Sequence, residues 1–294
     1  MKIDIGIISH NRYEILSKNL NKLLGSQESF SKIILVDNGS NEYFKKKLKS
    51  EFSNLDKIEI ISSEINLGVA GARNILFKKS TADLLVCIDD DALMNDVKQS
   101  LIRLKKIFSK FDNLGVLCLK IIDSKSKKVI KREFPQKYEF LKLNKILKIS
   151  YFIGAGFVIK NDVFKKFLFN DNFFYAQEEI DLSYKIIDKN YLMLFDPKIS
   201  VVHYRDSSSR LSPQKVSELN FKHRMIINYK FLPLKYLIIS NFLWTIKTFL
   251  STLSLKVILN SYLYYFKEKR KYKRIIISSS AIKYIKDTNG RLFY

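Results

Sequence analysis

Three aspartates in a row, Asp89-Asp90-Asp91, close the apolar run Leu84-Leu85-Val86-Cys87-Ile88. Consecutive carboxylates repel one another, and near a crevice they stay ionised only where a cation or hydrogen-bond donors compensate. A hard divalent cation such as Mg²⁺ or Mn²⁺ takes oxygen ligands and keeps positions open for phosphate oxygens. On an extended segment side chains alternate, so Asp89 and Asp91 fall on one side. A solvated acidic turn, or a helix capped by Asp91 before Ala92-Leu93, accounts for the same residues.

Other polar groups follow apolar runs in the same way. Ser9-His10-Asn11-Arg12, Asp37-Asn38-Gly39-Ser40 and Asn66-Leu67-Gly68 each do so. Gly68 and Gly71 suit either close backbone approach to a ligand or the start of a helix. Gly154-Ala155-Gly156, within a strand pattern over 151–160, admits a bulky group, an acceptor sugar or a packed helix. His203 follows Val201-Val202, where a lone histidine is commonly structural.

The elements that must position these groups alternate. Strand patterns at 3–8, 33–36, 58–61, 84–88 and 116–122 are separated by helical patterns at 12–24, 42–52, 68–79 and 96–109. Such alternation implies right-handed βαβ units and a parallel sheet. Ligands bind at the carboxyl ends of such strands, and four of those ends carry the polar clusters just named. Beyond residue 122 the pattern is less regular. A solvated hairpin or loop over 123–132 is expected, then a helix over 177–189 and short strands over 191–195 and 199–204. From Ser212 onward the chain reads as helical and basic.

The order and spacing of Ile8-Ser9-His10-Asn11-Arg12, Val36-Asp37-Asn38-Gly39-Ser40, Asn66-Leu67-Gly68-Val69-Ala70-Gly71-Ala72-Arg73-Asn74, Asp89-Asp90-Asp91, Gly154-Ala155-Gly156-Phe157 and Glu178-Glu179-Ile180-Asp181-Leu182 carry a resemblance. Over roughly residues 1–205 the chain resembles family 2 of the inverting glycosyltransferases, in particular the bacterial branch that includes rhamnosyltransferases of surface-polysaccharide assembly. The resemblance implies a GT-A type α/β fold: a Rossmann-like, mostly parallel central sheet flanked by helices. It implies a non-processive, metal-dependent transfer of one sugar from a nucleoside-diphosphate sugar, UDP- or dTDP-linked, to a glycan or lipid-linked acceptor.

It also implies roles. Asp37 would contact the nucleobase, with Ser9, Arg12 and Asn66 nearby, and Arg73 would reach the base or the diphosphate. Asp89 and Asp90 would approach the ribose. Asp91, with Asp89 and His203, would hold Mn²⁺ or Mg²⁺. Gly154, Gly156 and Glu178 would face the acceptor. The catalytic base, usually the Asp of a Glu-Asp pair, falls on Glu179, one methylene longer, with Asp181 second. Ionised carboxylates are favoured at a helix N-terminus, while Glu178 raises the proton affinity of the pair.

Composition adds a strongly basic balance. The formal net charge is +23, a field that attracts nucleic acid, anionic lipid or phosphorylated substrates alike. From Arg210 to Tyr294 there are 17 Lys and Arg against 3 Asp and Glu. The expected organisation is a catalytic domain over 1–210, with a nucleotide-sugar half (1–122) and an acceptor half (123–210), and a basic amphipathic helical extension over 211–294. Trp, Phe and Lys on such helices suit an anionic membrane surface, and a cap packed on the catalytic domain would look the same. No leader and no run of about 20 apolar residues is evident, so a cytoplasmic protein, peripheral on the inner face of the plasma membrane, is expected. Cys87 and Cys118 lie in apolar runs and read as buried free thiols.

Two other classes explain parts of the sequence. A nucleotidyltransferase on a similar sheet would favour a Gly-rich phosphate loop after the first strand, and Ser9-His10-Asn11-Arg12 is not one. A nucleic-acid-binding protein would need exposed stacking aromatics, whereas these sit in helical or core patterns. A processive synthase would carry a Gln-x-x-Arg-Trp motif and membrane spans, and neither is present.

Overall fold

The computed structural model describes residues 1–205 and 211–293. The boundary expected at residue 210 lies outside the described residues.

The first half folds as βαβ units. Strand β1 (Ile3–Ser9) leads to helix α1 (Tyr13–Leu24), β2 (Lys32–Asn38) to α2 (Glu42–Phe52), and β3 (Ile58–Ser63) to α3 (Gly68–Lys79). β4 (Leu84–Asp89) and the three-residue β5 (Ala92–Met94) precede α4 (Val97–Lys110). The helices bury one stripe each, as in α2, where Phe44, Leu48 and Phe52 recur every fourth residue. Asn41 caps α2 by accepting from the Phe44 N–H, and Asp96 caps α4 by accepting from Gln99. Asp91 therefore begins no helix; β5 follows it.

The remainder comprises β6 (Leu114–Asp123), β7 (Leu147–Lys148), β8 (Gly156–Lys160), the short α5 (Asn161–Phe164), α6 (Glu178–Asp188) and β9 (Leu192–His203). Four helices follow: α7 (Pro213–Phe231), α8 (Leu234–Thr252), α9 (Leu255–Glu268) and α10 (Ser279–Asp287). The sheet order is β3-β2-β1-β4-β8-β6-β9-β5, with β7 beside β9. β1 to β4 are mutually parallel. Beyond β4 the sheet is mixed: β8 runs antiparallel to β4 and β6, and β5 antiparallel to β9.

Three local expectations change. The strand over 151–160 starts only at Gly156, because 151–155 form an irregular segment. The two strands over 191–195 and 199–204 are one strand, β9. Its register against β6 slips between Asp196 and Ser200, where Pro197 has no N–H to give the ladder. The slip is filled by Asp196, whose carboxylate accepts from Lys198 N–H at 3.0 Å and pairs with Arg103. β5 is too short to leave a periodic signal.

One apolar cluster joins α3, β8 and α6 to Phe221, Met225 and Ile227 of α7 and to Ile285 of α10. Cys87 and Cys118 are buried and free, and burial pushes both thiols up to about 12.

Candidate active site

The parallel register brings the polar strand ends to one level. Ser9 pairs with Asp37 across β1 and β2, and Ile8 with Asp89 across β1 and β4. Asn38 ties the third strand end to the second. Its side-chain amide nitrogen donates to Asn66 Oδ1 at 3.0 Å and to Gly68 O, and its Oδ1 accepts from Leu67 N–H. Asp37 is fully buried and accepts from Ser40 N–H at 3.0 Å, closing the turn around Gly39.

The triplet alternates as an extended segment must. Asp89, Asp91 and His203 each offer a ligand atom, all within 4.8 Å of one another. His203 arrives because β9 pairs antiparallel with β5, Ala92 lying opposite His203. Its Nε2 is 3.2 Å from Asp91 Oδ1, and its Nδ1 is 3.1 Å from Glu133. Burial opposes the imidazolium, but hydrogen bonds to Asp91 and Glu133 outweigh it and push the His203 pKa up to about 9. Arg205 in turn donates to Glu133 at 3.0 Å. Two carboxylates and an imidazole backed by a carboxylate form a donor set that fits a divalent cation.

Asp90 points the other way. It is fully buried, accepts from Ser9 Oγ at 2.6 Å and pairs with Arg12 at 2.5 Å. Burial, with the charge of Asp91 adding, pushes its pKa up to about 7 against the pull of Arg12. Asp90, expected at the ribose, here makes internal contacts with Ser9 and Arg12. Ser9 and Arg12 are both engaged with it, and Arg12 reaches Asp91 as well, at 2.6 Å.

Arg73 is the second centre. Although fully buried, it is 3.1 Å from Asp89, 3.5 Å from Glu179 and 3.6 Å from Glu178. It also donates to Gly154 O at 2.9 Å. Burial works against its charge, but the three carboxylates hold it protonated above the usual range. Arg73 thus joins acids from two separate segments, Asp89 at the end of β4 and Glu178-Glu179 at the start of α6. A Cβ on Gly154 would lie 2.4 Å from Glu179 and 2.5 Å from Arg73, so this glycine makes room for that pair. Gly156 faces Ile121 and Val201 inside the sheet, at 3.1 and 3.2 Å from a built Cβ, and does not border the crevice.

Glu178 and Glu179 begin α6. Glu178 is buried, and desolvation together with Glu179 pushes its pKa up to about 8. Glu179 keeps 20% of its side chain exposed. The two residues before them, Ala176 and Gln177, have φ of 72° and 70°, a conformation that is costly for non-glycine residues and concentrates at functional sites. Asp181, the second candidate base, is excluded by its packing. It is wholly buried and locked between Lys185 at 2.8 Å and Lys230 of α7. Burial disfavours its charge, yet these lysines hold its pKa below the ordinary range.

Three contributors escaped the sequence reading. Asn19 donates to the carbonyls of Asp89, Asp90 and Ala92 at 3.2–3.4 Å, holding the triplet's backbone. A polar residue on the Leu16-Leu20-Leu23 stripe was its signal. Glu133 and Arg205 carried none, since Glu133 follows a basic tract that reads as solvated.

A family model described as glycosyl transferase family 2 matches residues 4–168. The chain belongs to glycosyl transferase family 2. Among curated relatives, this glycosyltransferase is 27% identical over 169 residues to an uncharacterized protein of Haemophilus influenzae, spanning 56% of this chain and 90% of that one. It is 30% identical over 131 residues to an uncharacterized glycosyltransferase of Nostoc, covering 44% of this chain and 40% of that one. Its fold matches GalNAc-T7, solved with UDP, GalNAc and Mn²⁺ (TM-score 0.68, 16% identity), over 98% of this chain and 57% of the larger protein. It matches S. aureus TarS with UDP-GlcNAc (TM-score 0.61, 15% identity) over 91% and 79%. A Pyrobaculum calidifontis mannosyltransferase with GDP-Man and Mn²⁺ gives a TM-score of 0.55 at 13% identity, over 98% and 75%. These likenesses establish the GT-A fold of the family 2 chain.

Proposed function

We propose that this glycosyltransferase is a metal-dependent, inverting, non-processive enzyme of bacterial surface-polysaccharide assembly. It moves one sugar from a UDP- or dTDP-linked donor to a hydroxyl of a glycan or lipid-linked glycan. Residues 1–122 bind the donor, 123–210 the acceptor, and 211–294 form the basic extension. Asp37 and Asn66 border the nucleobase end, and Glu178 the acceptor end.

One observation carries the reading: a single buried guanidinium, Arg73, holds both Asp89 of the cation site and the partly exposed Glu179. A base and a leaving-group site are thereby fixed relative to each other. In the transfer, Glu179 takes the acceptor hydroxyl proton as the oxygen bonds to the anomeric carbon. The bond from that carbon to the diphosphate breaks on the opposite face, and its electron pair leaves with the diphosphate. Asp89, Asp91 and His203 would hold Mn²⁺ or Mg²⁺, which offsets the charge growing on the diphosphate. Glu133 keeps the His203 ring oriented.

Thermal unfolding with Mn²⁺ against a panel of nucleotide sugars tests this. A donor raises the melting temperature according to its concentration and affinity, and the same donor is then consumed to nucleoside diphosphate. A panel in which no donor stabilises the protein or is turned over rejects the proposal.

A further inference from the structure

The outer faces of α8 and α9 carry large apolar side chains that no described residue covers. On α8, Ile238, Phe242 and Leu250 are 57%, 63% and 68% exposed. On α9, Leu255, Leu259 and Leu263 recur every fourth residue at 74%, 60% and 60%. The opposite faces are satisfied: Trp244 and Tyr265 are buried, and Thr245 and Tyr262 share a 2.8 Å hydrogen bond that joins the two helices. Large apolar side chains exposed in such stripes mark an interaction site.

Charge identifies the partner. Residues 234–276 contain nine Lys and Arg and one acid, Glu268. Lys235, Lys256, Lys267 and Lys271 are exposed beside the apolar stripe. Two copies of this chain meeting face to face would bring these cationic rims together, whereas an anionic lipid surface accepts both the stripe and the rim. Among the described residues no helix is long and apolar enough to cross a membrane, so the face would lie in the plane of the bilayer.

The face also has a fixed relation to the crevice. Leu253, at the corner between α8 and α9, is 77% exposed. Next to it, Ser251 is hydrogen-bonded at 2.6 Å to Ser217 in the first turns of α7. Asn220, the next residue along that side of α7, accepts from Gln177 at 2.7 Å, and Gln177 immediately precedes Glu178-Glu179.

We propose that the outer face of α8 and α9 docks on an anionic bilayer, with the α8–α9 corner setting the mouth of the crevice at the lipid surface. A lipid-linked acceptor then enters at Glu179 without leaving the bilayer. The acceptor half of this statement rests on the proposed transferase activity; the docking half does not.

Because α7 and α10 share the core of the sheet, the test uses point substitutions in the full chain. Flotation is measured with phosphatidylcholine vesicles with and without phosphatidylglycerol. The wild type is expected to float with the anionic vesicles. The triple variant Phe242→Ser, Leu250→Ser, Leu259→Ser, all exposed positions, should lose about tenfold or more of its partitioning while keeping its melting temperature and donor-induced stabilisation. Lys256→Gln with Lys267→Gln and Lys271→Gln should weaken binding to the anionic vesicles alone. Wild-type protein that stays with the lipid-free fraction overturns the proposal. So does a triple variant that floats unchanged, or one whose only defect is conversion of a dimer to a monomer. Vesicle binding by a wild type that consumes no nucleotide sugar supports the docking face and refutes the transferase reading separately.

Discussion

The imidazole of His203 meets the carboxylate of Asp91 at 3.2 Å, and a second carboxylate, Glu133, closes on its other nitrogen at 3.1 Å. The three side chains form an ion triad, with the His203 pKa pushed up to about 9. A folded-state pKa above the ordinary 6.5 contributes stability that is fully present below about 6.5 and lost as pH rises through about 9.

A cation bound there needs the neutral ring, so it displaces the proton. Mn²⁺ affinity is therefore expected to rise about tenfold per pH unit below about 9, read by calorimetry or by electron paramagnetic resonance of free Mn²⁺. His203→Ala should bind more weakly and flatten that slope. A wild-type affinity independent of pH would remove His203 from the ligand set.

Glu179 is the one acid of α6's first turn that combines a fixed orientation with access. Glu179→Gln keeps the volume and removes the proton acceptor. Its kcat should fall by about 10²–10⁴, with donor affinity unchanged in the thermal-shift titration. Unimpaired transfer by this variant would return the base role to another group. Asp181→Asn, by contrast, leaves Lys230 buried beside a neutral amide, and its main effect should be on stability.

Gly68 has φ of +71°, and a Cβ there would lie 2.4 Å from Phe174 O. The neighbouring Val69 N–H donates to that same carbonyl at 3.0 Å. Gly68→Ala should therefore cost about 2 kcal/mol or more in denaturant unfolding. A neutral substitution would mean that the segment before α6 is free to move away from α3.

Much of the frame was legible because it is local. Strand runs such as Leu84–Ile88 and stripes such as Phe44-Leu48-Phe52 are set by the alternation of apolar and polar residues, which burial then enforces. The alternation of side chains along Asp89-Asp90-Asp91 was likewise readable, and it separates Asp90 from its two neighbours in the folded chain. The buried thiols followed from the same logic.

What that logic left open was direction and partnership. Arg12, Arg73 and Asp90 are polar residues at the right strand ends, and nothing in their own segments says whether they face a ligand or each other. Asp181 sits three residues from Glu178, yet helix geometry and Lys230, far along the chain, make it an internal ion pair.

The sequence by itself determined the βαβ frame and the polar strand ends, because each depends on residues close together in the chain, and the family, because it depends on the order of short motifs along it. Tertiary structure alone decided which acids are paired and which remain accessible. The antiparallel β5–β9 pairing delivers His203 to Asp91, and the depth of Arg73 joins Asp89 to Glu179. Charges buried at low dielectric must find partners wherever the fold supplies them, and that choice is made in space rather than along the chain.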